Sequence, residues 1–199
     1  MGITKQSLDR VNIYTFKGAK MMELGAQCLY TRQYNSTDGE KHWAKDYFTN
    51  KGIKHTSIDL VIDGAWSDGG RAEKADLRKP LKYKDFDIVT NFGTTEHVEG
   101  DRGSLYKAFK NIHNMCKVGG VMIHENPKTG NWQGHGVHYM TTDFYGGLCS
   151  VTGYELLELK EEAAMGNTKS GWNVCAVLRK TSNEFCSKED FIKLDYHSA

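Results

Sequence analysis

The chain has 199 residues, 39% of them hydrophobic and 26% charged, with a formal net charge of +1. That is enough apolar material for one sizeable core and sets the expectation of a single domain over residues 1–199. The balanced charge excludes a broad electrostatic pull on phosphate backbones, so no nucleic-acid partner is expected, and no apolar stretch is long enough to span a bilayer.

The first residues, Met1-Gly2-Ile3-Thr4-Lys5-Gln6, put no apolar run behind a basic start, so no signal peptide is read. The cysteines Cys28, Cys116, Cys149, Cys175 and Cys186 are scattered, odd in number and form no Cys-x-x-Cys pair. They read as free thiols in a reducing compartment, and a cytoplasmic protein is expected. Short apolar runs alternate with helical patterns, as in βαβ units around a mostly parallel sheet.

In chain order, a first strand is read at residues 19–24, ended by Gly25. A polar stretch, residues 33–40, precedes a helix carrying Trp43, Tyr47 and Phe48 up to Gly52. A second strand fits residues 55–58, ended by Asp59; residues 63–70 read as loop and residues 72–77 as a short third strand with its exit. The fourth strand is residues 86–91. The helix after it carries Leu105, Phe109, Ile112 and Cys116 on one face. Gly119-Gly120 is expected to close that helix before a fifth strand starts at Val121. A shorter helix over residues 142–151 is opened by Thr141 or Thr142, has Asp143 in its first turn and ends at Gly153. Residues 154–159 and 172–178 read as the last strands. Their connection is too short for a crossover with a helix, so the pair is expected to be antiparallel. A short helix is read near residues 185–192.

Ligands of open α/β sheets sit at the carboxyl ends of the strands, near the point where strand order reverses. The residues falling there are Glu23-Leu24-Gly25, Asp59, Asp76-Leu77 and Asn91-Phe92-Gly93. Acidic side chains at three successive strand ends offer acceptors to a nucleoside with a ribose diol and an exocyclic amine.

With these residues in order, the sequence resembles the class I S-adenosylmethionine-dependent methyltransferases. Met21-Met22-Glu23-Leu24-Gly25 looks like their first motif, and Ser57-Ile58-Asp59 like the second strand with its ribose-binding acid. Ala75-Asp76-Leu77 looks like the adenine-contacting pair. Phe86-Asp87-Ile88-Val89 followed by Glu96-His97-Val98 looks like the fourth strand and its trailing Glu-His, and Lys117-Val118-Gly119-Gly120 like the Lys-Pro-Gly-Gly turn. The resemblance covers residues 17–180. It departs from the pattern in the first loop, where Gln27 and Leu29 stand in place of the second and third glycines, and in a longer spacing from Glu23 to Asp59. The added length falls in residues 33–40, placed to act as a lid.

The resemblance implies a three-layer Rossmann-like α/β fold, a mostly parallel sheet with an antiparallel last strand pair, and S-adenosyl-L-methionine as cofactor. Gly25 then allows a close backbone turn under the methionyl group. Glu23 holds its ammonium, or alternatively braces the loop. Asp59 accepts the ribose hydroxyls, or is a turn residue or helix cap. Asp76 accepts from the adenine amine while the Leu77 amide reaches the ring, or Asp76 sits in a solvated turn. Asn91 completes the cofactor-binding set at the fourth strand.

Methyl transfer is an in-line displacement at a sulfonium carbon, and the enzyme supplies proximity and alignment. A hydroxyl or protonated amine acceptor adds the need for a base. His97 and His124, both read at strand ends, are the catalytic candidates; His97 can alternatively hold the loop before Leu105. Some relatives bind a divalent metal through Glu-x-x-Glu-His at this position. Here Gly93 replaces the leading Glu, and His135 and His138 form a His-x-x-His pair without a closed ligand set, so no metal is expected. Glu96 then reads as the cap of the following helix. Trp132 and Tyr139 either wall the acceptor pocket or pack their own loop. No Asn/Asp-Pro-Pro-Tyr follows strand four, which disfavours methylation of base and amide nitrogens; a small-molecule acceptor is expected, with a sugar, a lipid-like quinol, a small metabolite or a nucleotide-linked sugar all open. Two other functions are weighed. A nicotinamide-dependent oxidoreductase needs Gly-x-Gly-x-x-Gly, which Gly25-Ala26-Gln27 does not supply. A non-catalytic cofactor-binding module is favoured by the missing glycines.

Overall fold

Met21-Met22, Ile88-Val89 and Val121-Met122-Ile123 are continuous apolar runs, the pattern of strands covered on both faces. The computed structural model describes residues 2–30, 42–62, 72–164 and 171–198. The polar stretch at residues 33–40, the loop at residues 63–70 and most of the connection after residue 164 lie outside the described residues.

The chain begins with β1 (Ile3–Thr4) and α1 (Lys5–Tyr14), followed by β2 (Lys20–Leu24), β3 (Leu29–Tyr30), α2 (Ala44–Asn50), β4 (Lys54–Asp59) and β5 (Glu73–Lys74). Next come β6 (Phe86–Phe92), a 3-10 turn (Thr95–His97), α3 (Arg102–Met115), β7 (Cys116–Pro127) and β8 (His138–Met140). The chain closes with α4 (Thr142–Thr152), β9 (Glu155–Ala163), β10 (Trp172–Arg179), α5 (Lys188–Ile192) and β11 (Tyr196–Ser198).

Seven strands form one sheet in the order β5-β4-β2-β6-β7-β10-β9. β5, β4, β2, β6 and β7 pair in parallel, and β10 runs antiparallel to both β7 and β9. Side-chain alternation sends successive residues to opposite faces. Met21, Ile88, Ile123 and Val177 pack with Leu8, Val11 and Phe48 of α1 and α2. Met22, Val89, Met122 and Ala176 pack with residues of α3, α4 and α5, including Phe109, Phe144 and Phe191. The result is three layers. Each fully buried large side chain contributes about 1.5–3 kcal/mol, and Phe109, edge-on to Phe144 and stacked on His124, sits at the centre of the aromatic group.

From residue 19 onward each expected strand and helix is present, with bounds shifted by a few residues, and the short strands β3, β8 and β11 are additions that were not expected. β1 and α1 were not expected; Thr4 caps α1 by accepting from the Ser7 amide at 3.2 Å. The helix through Phe109 ends at Met115, and Cys116 already belongs to β7. Gly119-Gly120 therefore lies inside the strand segment and does not close the helix. Gly119 takes a left-handed φ of 81°, a kink at which its amide donates to Lys180 of the neighbouring chain segment. β7 also runs on to Pro127, past His124. No described helix is long and apolar enough to cross a membrane.

Strand order reverses beside β2, which has β4 on one side and β6 on the other. The crevice beyond these strand ends is where this topology leaves space for a ligand.

Candidate functional site

The crevice holds a cavity of about 400 Å³, lined by residues 25–28, 59–61, 75–78, 93–94 and 97–99 with Tyr30, Trp43 and Ile58. That is within the usual size of small-molecule sites, roughly 300–1,000 Å³.

Gly25 opens the cavity floor. Its φ is 72°, and a Cβ there would come within 2.8 Å of Thr94 Oγ1 and 2.9 Å of Gln27 Nε2. Both the left-handed turn and the close approach call for glycine. The turn is pinned on each side: the Gly25 amide donates to the Ile58 carbonyl at 2.8 Å, and Thr94 Oγ1 donates to the Leu24 carbonyl at 2.7 Å. Gln27, in place of a second glycine, is buried and turns its amide nitrogen back to the Leu24 carbonyl at 3.4 Å.

Asp59 faces the cavity from the end of β4. Its carboxylate accepts from the Ala26 amide at 3.0 Å and the Val61 amide at 3.2 Å. Asp76 is on the wall with Leu77, and its two oxygens are forked by Arg78, at 2.9 Å from Nε and 3.1 Å from a terminal nitrogen. The hydrogen bonds from Arg78 hold the Asp76 carboxyl below its usual range.

The other strand-end residues point elsewhere. Glu23 is enclosed under the α2 side of the sheet and does not line the cavity. Ser57 Oγ donates to its Oε2 at 3.0 Å and His55 Nε2 lies 3.8 Å away, while Oε1 has no partner. Burial pushes the Glu23 carboxyl up to about 8 and the His55 imidazole down to about 3. Asn91 is fully buried; its amide donates to Thr95 Oγ1 at 2.8 Å and to Asn126 Oδ1 at 3.2 Å. His124 is also buried, 3.1 Å from the Asn91 amide and stacked on Phe109, and burial lowers it to about 3. Both sit inside strands, because β6 and β7 extend beyond them.

His97 does reach the cavity, from the 3-10 turn after β6. Its side chain is 47% exposed and stands edge-on to His135, ring centroids 4.8 Å apart. Glu96 does not cap α3; that cap is Asp101, which accepts from the Ser104 amide at 3.0 Å. Instead Glu96 is enclosed. Its Oε2 accepts from Asn126 Nδ2 at 2.9 Å, and burial pushes its carboxyl up to about 7. His97 and His135 are both lowered by burial. Glu96, His97 and His135 offer three ligand atoms within 4.8 Å of one another. The sequence singled out His135, but as a partner of His138 in a His-x-x-His pair.

The expected His135/His138 pair is split. His138 is buried in β8 against the Tyr196 ring, 5.8 Å away. Trp132 and Tyr139 do not line the cavity. Tyr139 organises the loop that carries His135: its hydroxyl accepts from the His135 amide at 3.0 Å and the Gly136 amide at 3.1 Å and donates to the Trp132 carbonyl at 2.8 Å.

No protein-family model matches the chain, and no curated protein sequence does. Solved structures do match in shape. The 1,6-didemethyltoxoflavin-N1-methyltransferase of Burkholderia thailandensis, crystallised with bound 1,6-didemethyltoxoflavin and S-adenosylhomocysteine, superposes with TM-score 0.57 at 15% identity, over 83% of this chain and 72% of that one. The N-methyltransferase NodS of Bradyrhizobium japonicum gives TM-score 0.59 at 16% identity, over 89% and 94%. The (4+2)-cyclase SpnF gives 0.58 at 14%, over 88% and 80%. The fold is therefore that of the S-adenosylmethionine-dependent methyltransferases, as the sequence motifs implied.

Proposed function

We propose that the cavity binds S-adenosyl-L-methionine and that the chain, acting as one domain, transfers its methyl group to a small acceptor. The observation that carries this is the left-handed Gly25 turn at a cavity that is also lined by Asp59, whose carboxylate accepts from the Ala26 amide of that turn, and by Leu77. The donor set fits the cofactor. The turn leaves backbone room for the methionyl portion. Asp59 spends only part of its acceptor capacity on two amides, since a carboxylate has about four lone-pair sites, so it can take ribose hydroxyls. Ile58 and Leu77 give apolar surface for a purine, and Asp76, already paired with Arg78, meets the exocyclic amine as a shared acceptor. When bound, the cofactor supplies an electrophilic methyl group on a sulfonium.

The residues of this chain align the partners and exclude water. His97 is the histidine of the cavity and acts on the acceptor, whereas His124 and Asn91 brace the strands behind it. The matching methyltransferase whose name gives a small-molecule acceptor, 1,6-didemethyltoxoflavin, supports a small acceptor here. A second reading, a cofactor-binding protein that transfers no methyl group, is favoured by Gln27 in the first loop and by the cyclase among the matching structures, since a fold does not fix a reaction.

S-adenosylhomocysteine at 100 times its dissociation constant should stabilise the fold by about 2.7 kcal/mol, seen as a raised melting temperature, and NADH should give no shift. A flat response to S-adenosylhomocysteine at millimolar concentration overturns the reading. Asp59→Ala should weaken that binding at least tenfold. His97→Ala should leave it within about threefold while turnover falls sharply, because its role is on the acceptor.

A further inference from the structure

Glu96 is a fully enclosed carboxylate with only one of its oxygens partnered: Asn126 donates to Oε2, and Oε1 receives nothing. His135 Nε2 is likewise buried without a partner. The two bare atoms face each other across 3.9 Å, and His97 Nε2 lies 3.8 Å from the same oxygen. These separations are too long for hydrogen bonds. Buried polar atoms left bare are costly and rare, and each asks for a physical cause. A cation held among the three would satisfy all of them.

The surroundings hold this arrangement in place. Asn126, which fixes the other oxygen of Glu96, is itself fixed by Tyr145, whose hydroxyl donates to Asn126 Oδ1 at 2.6 Å. The loop carrying His135 is clamped onto the Glu96 backbone, the Val137 amide donating to the Glu96 carbonyl at 2.7 Å. Gly136 makes that approach feasible, because a Cβ there would lie 2.9 Å from the Glu96 carbonyl and 3.0 Å from its Cγ. Orientation of ligands by a surrounding polar shell is what metal sites require.

We propose that Glu96, His97 and His135 form a binding site for a divalent transition-metal ion at the edge of the cavity. One carboxylate oxygen and two imidazole nitrogens suit zinc, cobalt, iron or nickel better than calcium or magnesium. Three protein ligands leave a position open, as in catalytic rather than structural sites. His97 lines the cavity, so the open position is directed to an acceptor that brings an oxygen or nitrogen ligand. Ligand distances of about 2.0–2.2 Å require neighbouring ligand atoms roughly 3.4 Å apart in a tetrahedron. Each imidazole nitrogen, 3.8 and 3.9 Å from Glu96 Oε1, therefore draws in toward it by about half an ångström, and the two imidazole nitrogens, within 4.8 Å of each other, close by up to about 1.4 Å on binding. The role toward an acceptor rests on the proposed methyl transfer; the metal binding does not.

The test is a titration of the whole chain, stripped with EDTA and desalted, with Co²⁺ and no adenosyl ligand present. The expected result is one Co²⁺ per chain, with visible d–d bands and no thiolate charge-transfer band in the near ultraviolet. His135→Ala, in a part-exposed loop residue, should weaken binding at least tenfold while leaving the metal-free melting temperature unchanged, and Glu96→Gln should do the same to binding. Less than one equivalent bound, a thiolate band pointing to the cysteines, or undiminished affinity in His135→Ala overturns the proposal. Because the readout uses no cofactor, its failure leaves the S-adenosylhomocysteine result standing, and the reverse also holds.

Discussion

Adjacent residues of β7, Glu125 and Asn126, face opposite sides of the sheet, and each anchors a buried polar cluster. On the α1 side, Glu125, Glu162 and Cys175 bring three potential ligand atoms together, as Glu96, His97 and His135 do on the other side. The first group is already filled. Arg10 donates to Glu125 at 3.2 Å, to Glu158 at 3.1 Å and to Glu162 at 2.7 Å, and Ser7 and Asn173 complete Glu125. The second group has bare atoms facing one another. Proximity of ligand-type side chains is thus the weaker criterion; what separates a brace from a site is whether the atoms have partners.

Removing the cation from the filled cluster should produce the largest effect. Arg10→Met keeps the packing stem but leaves buried carboxylates unpaired, a loss of about 3–5 kcal/mol in urea unfolding at neutral pH. A loss below about 1 kcal/mol would mean that the guanidinium is not what holds α1 to β7 and β9. Next in size is Gly136→Ala. The added methyl meets the Glu96 backbone and Cγ, and overpacking of this kind costs about 1–3 kcal/mol. The loop should move off Glu96, taking His135 with it, so Co²⁺ affinity should fall even though all three ligands remain. Unchanged Co²⁺ affinity would show that the clamp does not set the site.

The contrast also marks what the sequence could reveal. β2, β4 and β5 with their strand-end residues Gly25, Asp59 and Asp76 are local patterns: a strand, then a turn residue. They were legible, and they line the cavity. Asn91 and His124 follow the same rule but are buried, because each strand continues past them and the local pattern does not fix the last paired residue. Arg10 was not singled out at all. Its partners lie in β7 and β9, far along the chain, and only the packing of α1 brings them together; Leu8 and Val11 beside the Thr4 cap were the available sign of that helix. His135 was visible as a histidine, but paired with His138. Its approach to Glu96 depends on a glycine contact between two loops, which no spacing rule expresses.

A third buried carboxylate sharpens the comparison by its pH dependence. Glu23 has neither a guanidinium nor two imidazoles; with burial holding its carboxyl up near 8, it is compensated by a proton. The unfolded chain releases that proton near the ordinary carboxylate value, so between these pH values the unfolded state is the one favoured by deprotonation. This contribution is full below about pH 4.5 and is lost as pH rises through 8, with a slope of at most about 1.4 kcal/mol per pH unit. His55 acts with the opposite sign, removing stability as pH falls from about 6.5 toward 3. Glu23→Gln should therefore flatten the fall in urea-unfolding stability between pH 5 and 8, changing it by about 1–2 kcal/mol over that range. An unaltered pH profile would show that Glu23 is ionised in the folded chain.

The smallest effect should come from the other cation of the filled cluster. Lys160 touches the same acids as Arg10, at 3.0 Å from Glu158 and 3.1 Å from Glu162, yet its side chain is 48% exposed where that of Arg10 is 4% exposed. Distance alone would rank the two cations together. Solvent separates them: water replaces the ammonium when it is removed, and exposed pairs are typically worth only about 0.2–1 kcal/mol. Lys160→Met should cost no more than that, and its effect should shrink in 1 M salt, where the screening length is about 3 Å. The Arg10→Met loss should persist at the same salt, because the buried acids are reached poorly by ions. The double variant decides whether the cations substitute for one another. If Lys160 moves in to serve Glu162 once Arg10 is gone, the double variant should lose more than the sum of the singles, by over 0.5 kcal/mol. If the losses add, Arg10 alone compensates the buried charge and Lys160 is a solvated lysine on β9, the edge strand of the sheet, where such a charge opposes pairing with another chain.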